Sequence, residues 1–149
     1  AVMAHIDNCY YNSEGYPDPT PCEAFKNIDR EIRASGRSPN YRPVVFICSP
    51  YAGQVEKNIE KARRYSRIAV DRGFIPVAPH LLFPQFLNDS LEEERQLGIF
   101  MGLVMLTKCT ELWVFGSTIS DGMAVEIDKA IQRGMPVRYF TESGKEVHT

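Results

Sequence analysis

One carboxylate in this chain sits where a reacting group can be held. Glu126 falls in Ser120-Asp121-Gly122-Met123-Ala124-Val125-Glu126-Ile127-Asp128-Lys129-Ala130, just after the apolar run Leu112-Trp113-Val114-Phe115-Gly116. A strand feeding a Gly-containing turn and then an amphipathic helix puts that carboxylate on the helix's first turn or two. This is the mouth of a parallel sheet, where open α/β folds bind ligands. A carboxylate fixed there can attack a sugar's anomeric carbon, giving a glycosyl ester that water or a second base resolves. Glutamate is also a good helix former and is common near helix N-termini, so its company carries the argument. Ser120, Gly122 and the turn before them offer backbone N–H groups, Met123 can wall off water, and Ile127 and Ala130 turn the helix onto the sheet.

A second turn, Ser49-Pro50-Tyr51-Ala52-Gly53, follows the run Val44-Val45-Phe46-Ile47-Cys48. It lacks the Gly-x-Gly-x-x-Gly of a dinucleotide site and the Gly-Lys-Ser/Thr of a P-loop, so neither cofactor is expected. Small residues, a hydroxyl and an aromatic ring at a helix N-terminus suit a sugar, a base or a single phosphate. An ordinary strand-to-helix connection is the competing reading. His80 either caps a strand end or faces a ligand. Arg95 either pairs with Glu92 or Asp89 on a helix surface, the expected arrangement, or reaches into the site toward a phosphate. Gly98 and Gly102, four apart within a helix, cost about 1 kcal/mol each relative to Ala and point to close packing against a helix or a neighbouring subunit. Trp113 alternates within a strand and reads as core.

The elements that must position these groups alternate along the chain. Residues 44–48 read as a strand buried on both faces. Residues 55–72 form a helix with Val55, Ile59, Ala62, Ser66 and Ala69 on one face, ended by Gly73. Residues 75–78 make a short strand, and 79–89 a loop too apolar for a plain linker. Ser90 opens a helix carrying Glu92, Glu93 and Glu94 near its N-terminus. Strand 111–116, helix 122–133 and strand 136–140 complete the domain. The order predicts an α/β, flavodoxin-like or Rossmann-like three-layer sandwich with a parallel sheet of four or five strands in the order 2-1-3-4. Residues 1–40 stand apart as a Tyr-rich arm and a helix starting at Thr20-Pro21 and running to about Ala34. The domain proper covers 41–149.

Together, Phe46-Ile47-Cys48-Ser49-Pro50-Tyr51, Cys109 to Gly116 and Gly122 to Ala130 resemble the nucleoside 2-deoxyribosyltransferase superfamily over about residues 43 to 140. Ser49-Pro50-Tyr51 and Ala78-Pro79-His80 resemble an uncharacterised branch of it. The resemblance implies that Glu126 is the nucleophile that takes a deoxyribosyl group from a base. It gives Ser49, Pro50 and Tyr51 a place in the floor beneath base and sugar, and Gly116, Ser120, Gly122 and Met123 the turn around the nucleophile. Self-association as a dimer or higher homo-oligomer is also implied. One departure stands out. Characterised transferases carry an orienting Asp one or two helix turns before the third strand, where this chain has Gly102, Leu103 and Val104. His80, Glu94 and Arg95 are the nearest substitutes.

Two functions follow: cleavage or transfer at the N-glycosidic bond of a nucleoside or nucleoside 5′-monophosphate, or a non-catalytic nucleotide-binding or sensing module using the same cleft. A flavodoxin-like redox or phosphotransfer role lacks the paired acids and hydroxyl run it would need. The 149 residues carry a formal net charge of −2 and no polybasic stripe, so neither nucleic acid nor anionic membrane is an expected partner. The nearly uncharged stretch 97–107 is too short for the ~20 residues of a bilayer span, and the expected location is the cytoplasm. The four cysteines, Cys9, Cys22, Cys48 and Cys109, are scattered and read as reduced. His5, Cys9 and Cys22 lack metal-ligand spacing, so no metal is expected.

Overall fold

The computed structural model describes residues 23–28, 30 and 41–148. The chain divides into two units, residues 1–42 and 43–149. In the first, residues 23–28 are helical, within the helix expected after Thr20. That helix's ends, the arm over residues 1–20, and Cys9 and Cys22 lie outside the described residues.

The second unit runs β1 (Val44–Cys48), α1 (Val55–Asp71), β2 (Ile75–Val77), α2 (Pro79–Leu82), a 3-10 turn (Phe83–Gln85), α3 (Glu92–Leu106), β3 (Glu111–Phe115), α4 (Asp121–Gln132), β4 (Val137–Phe140) and β5 (Glu146–Val147). The sheet order is β2-β1-β3-β4-β5. The first four strands are parallel, in the predicted order, with Ile47 beside Trp113 and Trp113 beside Arg138 in register. β5 pairs antiparallel with β4, so the sheet is mostly rather than wholly parallel. Its two residues are too short to give a periodic signal.

β1 and β3 are buried along almost their whole length and send alternate side chains to opposite faces. Val45, Ile47, Trp113 and Phe115 meet Tyr65 and Ala69 of α1 on one side. Phe46, Cys48, Leu112 and Val114 meet Leu106 of α3 and Met123, Ile127 and Ala130 of α4 on the other. Helices thus cover both faces of the sheet. α1 and α4 end as the sequence predicts. Gly73 and Gly134 take φ of +85° and +67°, which costs a side-chain-bearing residue energy. The chain then folds back so that Phe74 N–H reaches Ala69 O and Met135 N–H reaches Ala130 O, both at 2.9 Å.

Two local expectations are corrected. The segment expected as a loop over 79–89 contains α2 and the 3-10 turn. Pro79 stands at the first helical position, where its missing N–H costs nothing. α3 begins at Glu92 rather than Ser90, because the Ser90 hydroxyl donates to Asn88 Oδ1 at 2.6 Å and closes the preceding turn instead of capping the helix.

Candidate functional site

β1 connects outward to β2 on one side while β3 lies on the other, so the crevice at their carboxyl ends is the switch point of the sheet. A cavity of about 490 Å³ opens there, within the size range of small-molecule sites. Ser49 and Tyr51 come from the turn after β1, His80 from α2, Glu94, Arg95, Gly98 and Gly102 from α3, and Ser120 to Met123 with Glu126 from α4.

Each wall is held by identifiable bonds. Asn58 on α1 donates to the carbonyls of Tyr51 at 3.0 Å and Ala52 at 3.3 Å, fixing the turn after β1. Ser120 caps α4, its hydroxyl accepting from Met123 N–H at 3.3 Å, which sets the helix register that points Glu126 inward. His80 Nε2 lies 3.0 Å from Ser49 O. A carbonyl only accepts, so this nitrogen carries the proton. The His80 ring stacks on Tyr51 with centroids 5.0 Å apart and planes 17° from parallel.

Glu126 is half-buried as a residue, but its Oε2 is closed off from solvent and has no hydrogen-bond partner. Burial pushes its carboxyl up to about 7 from the ordinary 4.5, against a smaller downward pull from the nearby Cys48 thiol. Cys48 sits at the end of β1 with its sulfur 3.8 Å from Met123 O. Burial, and then the nearby carboxylate, push the thiol far above its usual range, so it remains a proton donor. Ser49 is equally enclosed, and its Oγ also has no partner. Unpaired buried polar atoms are rare because each forfeits its hydration; here both belong to residues that line one cavity. Burial lowers the His80 imidazole below its ordinary value, partly offset by the bond to Ser49 and by Asp89. Tyr51 is raised by burial and by Asp89.

Of the residues singled out from sequence, Glu126, Ser49, Tyr51, His80, Arg95, Ser120, Gly122 and Met123 meet at this cavity. Pro50 and Gly116 do not reach its wall. Gly116 instead holds φ +94° where β3 turns, and a side chain there would point toward Glu142. Arg95 stands on the cavity wall rather than in the expected surface pair, and Glu92 accepts from Gln96 Nε2 at 2.8 Å instead. Gly98 and Gly102 pack near Leu87 and Pro79 within the domain, at 3.5 and 3.8 Å from where a Cβ would stand. Asp89, Phe83 and Leu87 were missed individually. The signal was the unusual apolarity of the stretch they belong to. No group of three or more His, Cys, Asp or Glu among the described residues could hold a metal ion, and no helix among them is long and apolar enough to cross a membrane.

The profile of a domain of unknown function, DUF7768, matches residues 43–140. The chain belongs to that family. No curated protein matches the sequence. Among solved structures, a 2-deoxyribosyltransferase from the psychrotolerant bacterium Bacillus psychrosaccharolyticus superposes with a TM-score of 0.56 at 17% identity, covering 70% of this chain and 77% of that one. At such identity the likeness is one of fold. The DUF7768 region and the described cavity coincide, because every cavity residue lies between Ser49 and Glu126.

Proposed function

We propose that this domain breaks or transfers at the N-glycosidic bond of a nucleoside or nucleoside 5′-monophosphate, with Glu126 as nucleophile. The observation that carries this reading is that Glu126, whose enclosed Oε2 has no partner, lines a nucleoside-sized cavity. The fold shared with a 2-deoxyribosyltransferase supports it. In the first step a Glu126 oxygen bonds to C1′ and the C1′–N bond breaks, its electron pair leaving with the base nitrogen. In the second, water or another base attacks C1′ and the ester electrons return to Glu126. The unpaired Ser49 hydroxyl suits a sugar hydroxyl, and Tyr51 offers a face for stacking. Residues 41–149 would suffice for this chemistry, with 1–40 an accessory element. Self-association is part of the proposal, supported by α3, which leaves Leu97, Phe100 and Val104 exposed outside the cavity wall.

The test is chromatographic detection of free base from 2′-deoxynucleosides and their 5′-monophosphates, with mass spectrometry for a glycosyl ester on Glu126 when a 2′-fluoro nucleoside slows the second step. An intact protein that binds a nucleotide but frees no base defeats the proposal. The stretch Gly102, Leu103 and Val104, where an orienting acid would stand, favours the second reading, a nucleotide-binding module. Thermal stabilisation by a nucleotide, equal in Glu126→Gln and without turnover, would select it.

A further inference from the structure

A neutral base leaves its sugar as an anion unless something protonates it, and this cavity is poor in groups able to do so. The His80 proton is committed to Ser49 O at 3.0 Å. Burial and Asp89 make the Tyr51 phenol a weaker acid than usual. Glu94 Oε2 is taken up by a hydrogen bond from Asn88 N–H. Asp89 acts on both Tyr51 and His80 as a negative charge. On α3, the wall is Gly98, Gly102 and Leu103.

The charge balance points the same way. The wall carries four carboxylates, Asp89, Glu94, Asp121 and Glu126, against one guanidinium, Arg95. Glu126, whose Oε2 lacks a partner, lines the same cavity, as does Ser49, whose buried hydroxyl is also unpaired. Once Glu126 is ionised, as a nucleophile must be, a neutral ligand would leave it without a counter-charge in a mostly apolar surround, which is costly. A positively charged ring would supply one, and the nearly parallel Tyr51–His80 pair provides a π-surface on which such a ring can lie.

Resting on the glycosyl reading above, we propose that this cavity selects nucleosides whose base carries a fixed positive charge, of the pyridinium or N7-alkylated purine class. With such a substrate the step balances without a proton donor. A Glu126 oxygen bonds to C1′, the C1′–N bond breaks, and its electron pair neutralises the cationic ring, which departs as a neutral base. Water then attacks C1′ and the ester electrons return to the carboxylate. The water's proton passes to solvent.

Two readouts separate this inference from the reading beneath it. The first is calorimetric binding at pH 8 of two ligands that cannot be cleaved: a carbocyclic nicotinamide nucleoside, which is cationic, and benzamide riboside, a neutral C-nucleoside of the same shape. The cation is expected to bind at least tenfold more tightly, with the ratio shrinking in Asp89→Asn and in Glu94→Gln. Equal or tighter binding of the neutral ligand overturns the charge preference. The second is release of nicotinamide from nicotinamide riboside and of bases from neutral 2′-deoxynucleosides, each divided by its uncatalysed rate. A rate enhancement at least a hundredfold larger for the cation is expected. Equal enhancements overturn the inference and leave Glu126 as a glycosyl nucleophile, whereas preferential cation binding with no base released from either class sustains the charge preference and defeats the nucleophile.

Discussion

The two faces of the sheet are built from neighbouring residues of the same strands, yet they are opposite in character. The α1 face is an aromatic stack. Tyr65 lies 4.2 Å from Phe115 and Phe115 lies 5.1 Å from Phe140, ring centre to ring centre, with Trp113 4.7 Å from Phe140. Trp113 and Arg138 are paired there. Trp113 Nε1 donates to Glu111 at 2.7 Å, and Arg138 covers the Trp113 ring while bonding Glu111 and Glu146. The α3/α4 face is smaller-grained, with Cys48, Val114, Met123 and Ala130 in its core, and at the strand ends it opens into the cavity lined by Ser49 and Glu126, each with an unpaired polar atom. On the proposed function, tight aromatic packing lies on one side and the reacting carboxylate on the other, as expected where a desolvated site must be offset elsewhere.

The contrast makes graded predictions. Glu126→Gln should cut base release by about 10³-fold or more, as loss of a nucleophile does, while urea denaturation at pH 8 shows it as stable as the parent or more so. A large loss of stability would mean that the carboxylate is structural. Phe115→Ala, one residue from the cavity-side Val114, should cost about 3–5 kcal/mol in the same denaturation experiment. A cost below 1 kcal/mol would show that the aromatic stack is not the mainstay.

The pH dependence of stability is next in size. Glu126 has a folded value of about 7 against an ordinary 4.5, so the folded state holds the proton more tightly than the unfolded one. Its stabilising contribution is full below pH 4.5 and is lost as pH rises through 7, by on the order of 3 kcal/mol. Denaturation midpoints of parent and Glu126→Gln, compared from pH 5 to 8, should diverge in favour of the variant at the alkaline end. A nucleophile must be ionised, so activity runs the other way and rises through pH 7. Cys48→Ala removes the thiol that pulls the Glu126 carboxyl down and should move the midpoint of that activity profile upward, at a stability cost of about 1 kcal/mol. An unmoved midpoint would show that the thiol only fills space. The smallest effect belongs to Arg138→Met, about 1 kcal/mol and weaker in high salt, because its ion pairs are partly exposed.

Much of the architecture is legible along the chain. The β-branched and aromatic runs at 44–48 and 111–115 mark buried strands, and Gly73 and Gly134 mark helix ends, because these are local preferences repeated over several residues. The wall over 79–89 was harder. A single turn of helix gives no periodicity, and two prolines suggest a loop until Pro79 is seen to sit where a proline is harmless. Arg95 could be read two ways for a related reason, since a nearby acid in sequence says nothing of the direction the helix faces.

Residue order alone establishes that Glu126 rides the start of a helix after a parallel strand, because strand, turn and helix signals are read within a dozen residues. Whether its oxygen meets water, a partner or an empty cavity depends on α2, α3 and the turn after β1, which approach it from positions 23 to 77 residues away. Hydration and hydrogen bonding are properties of the assembled surroundings, so the unpaired Oε2, the closed Ser49 hydroxyl and the division of labour between the two faces emerge when the chain packs.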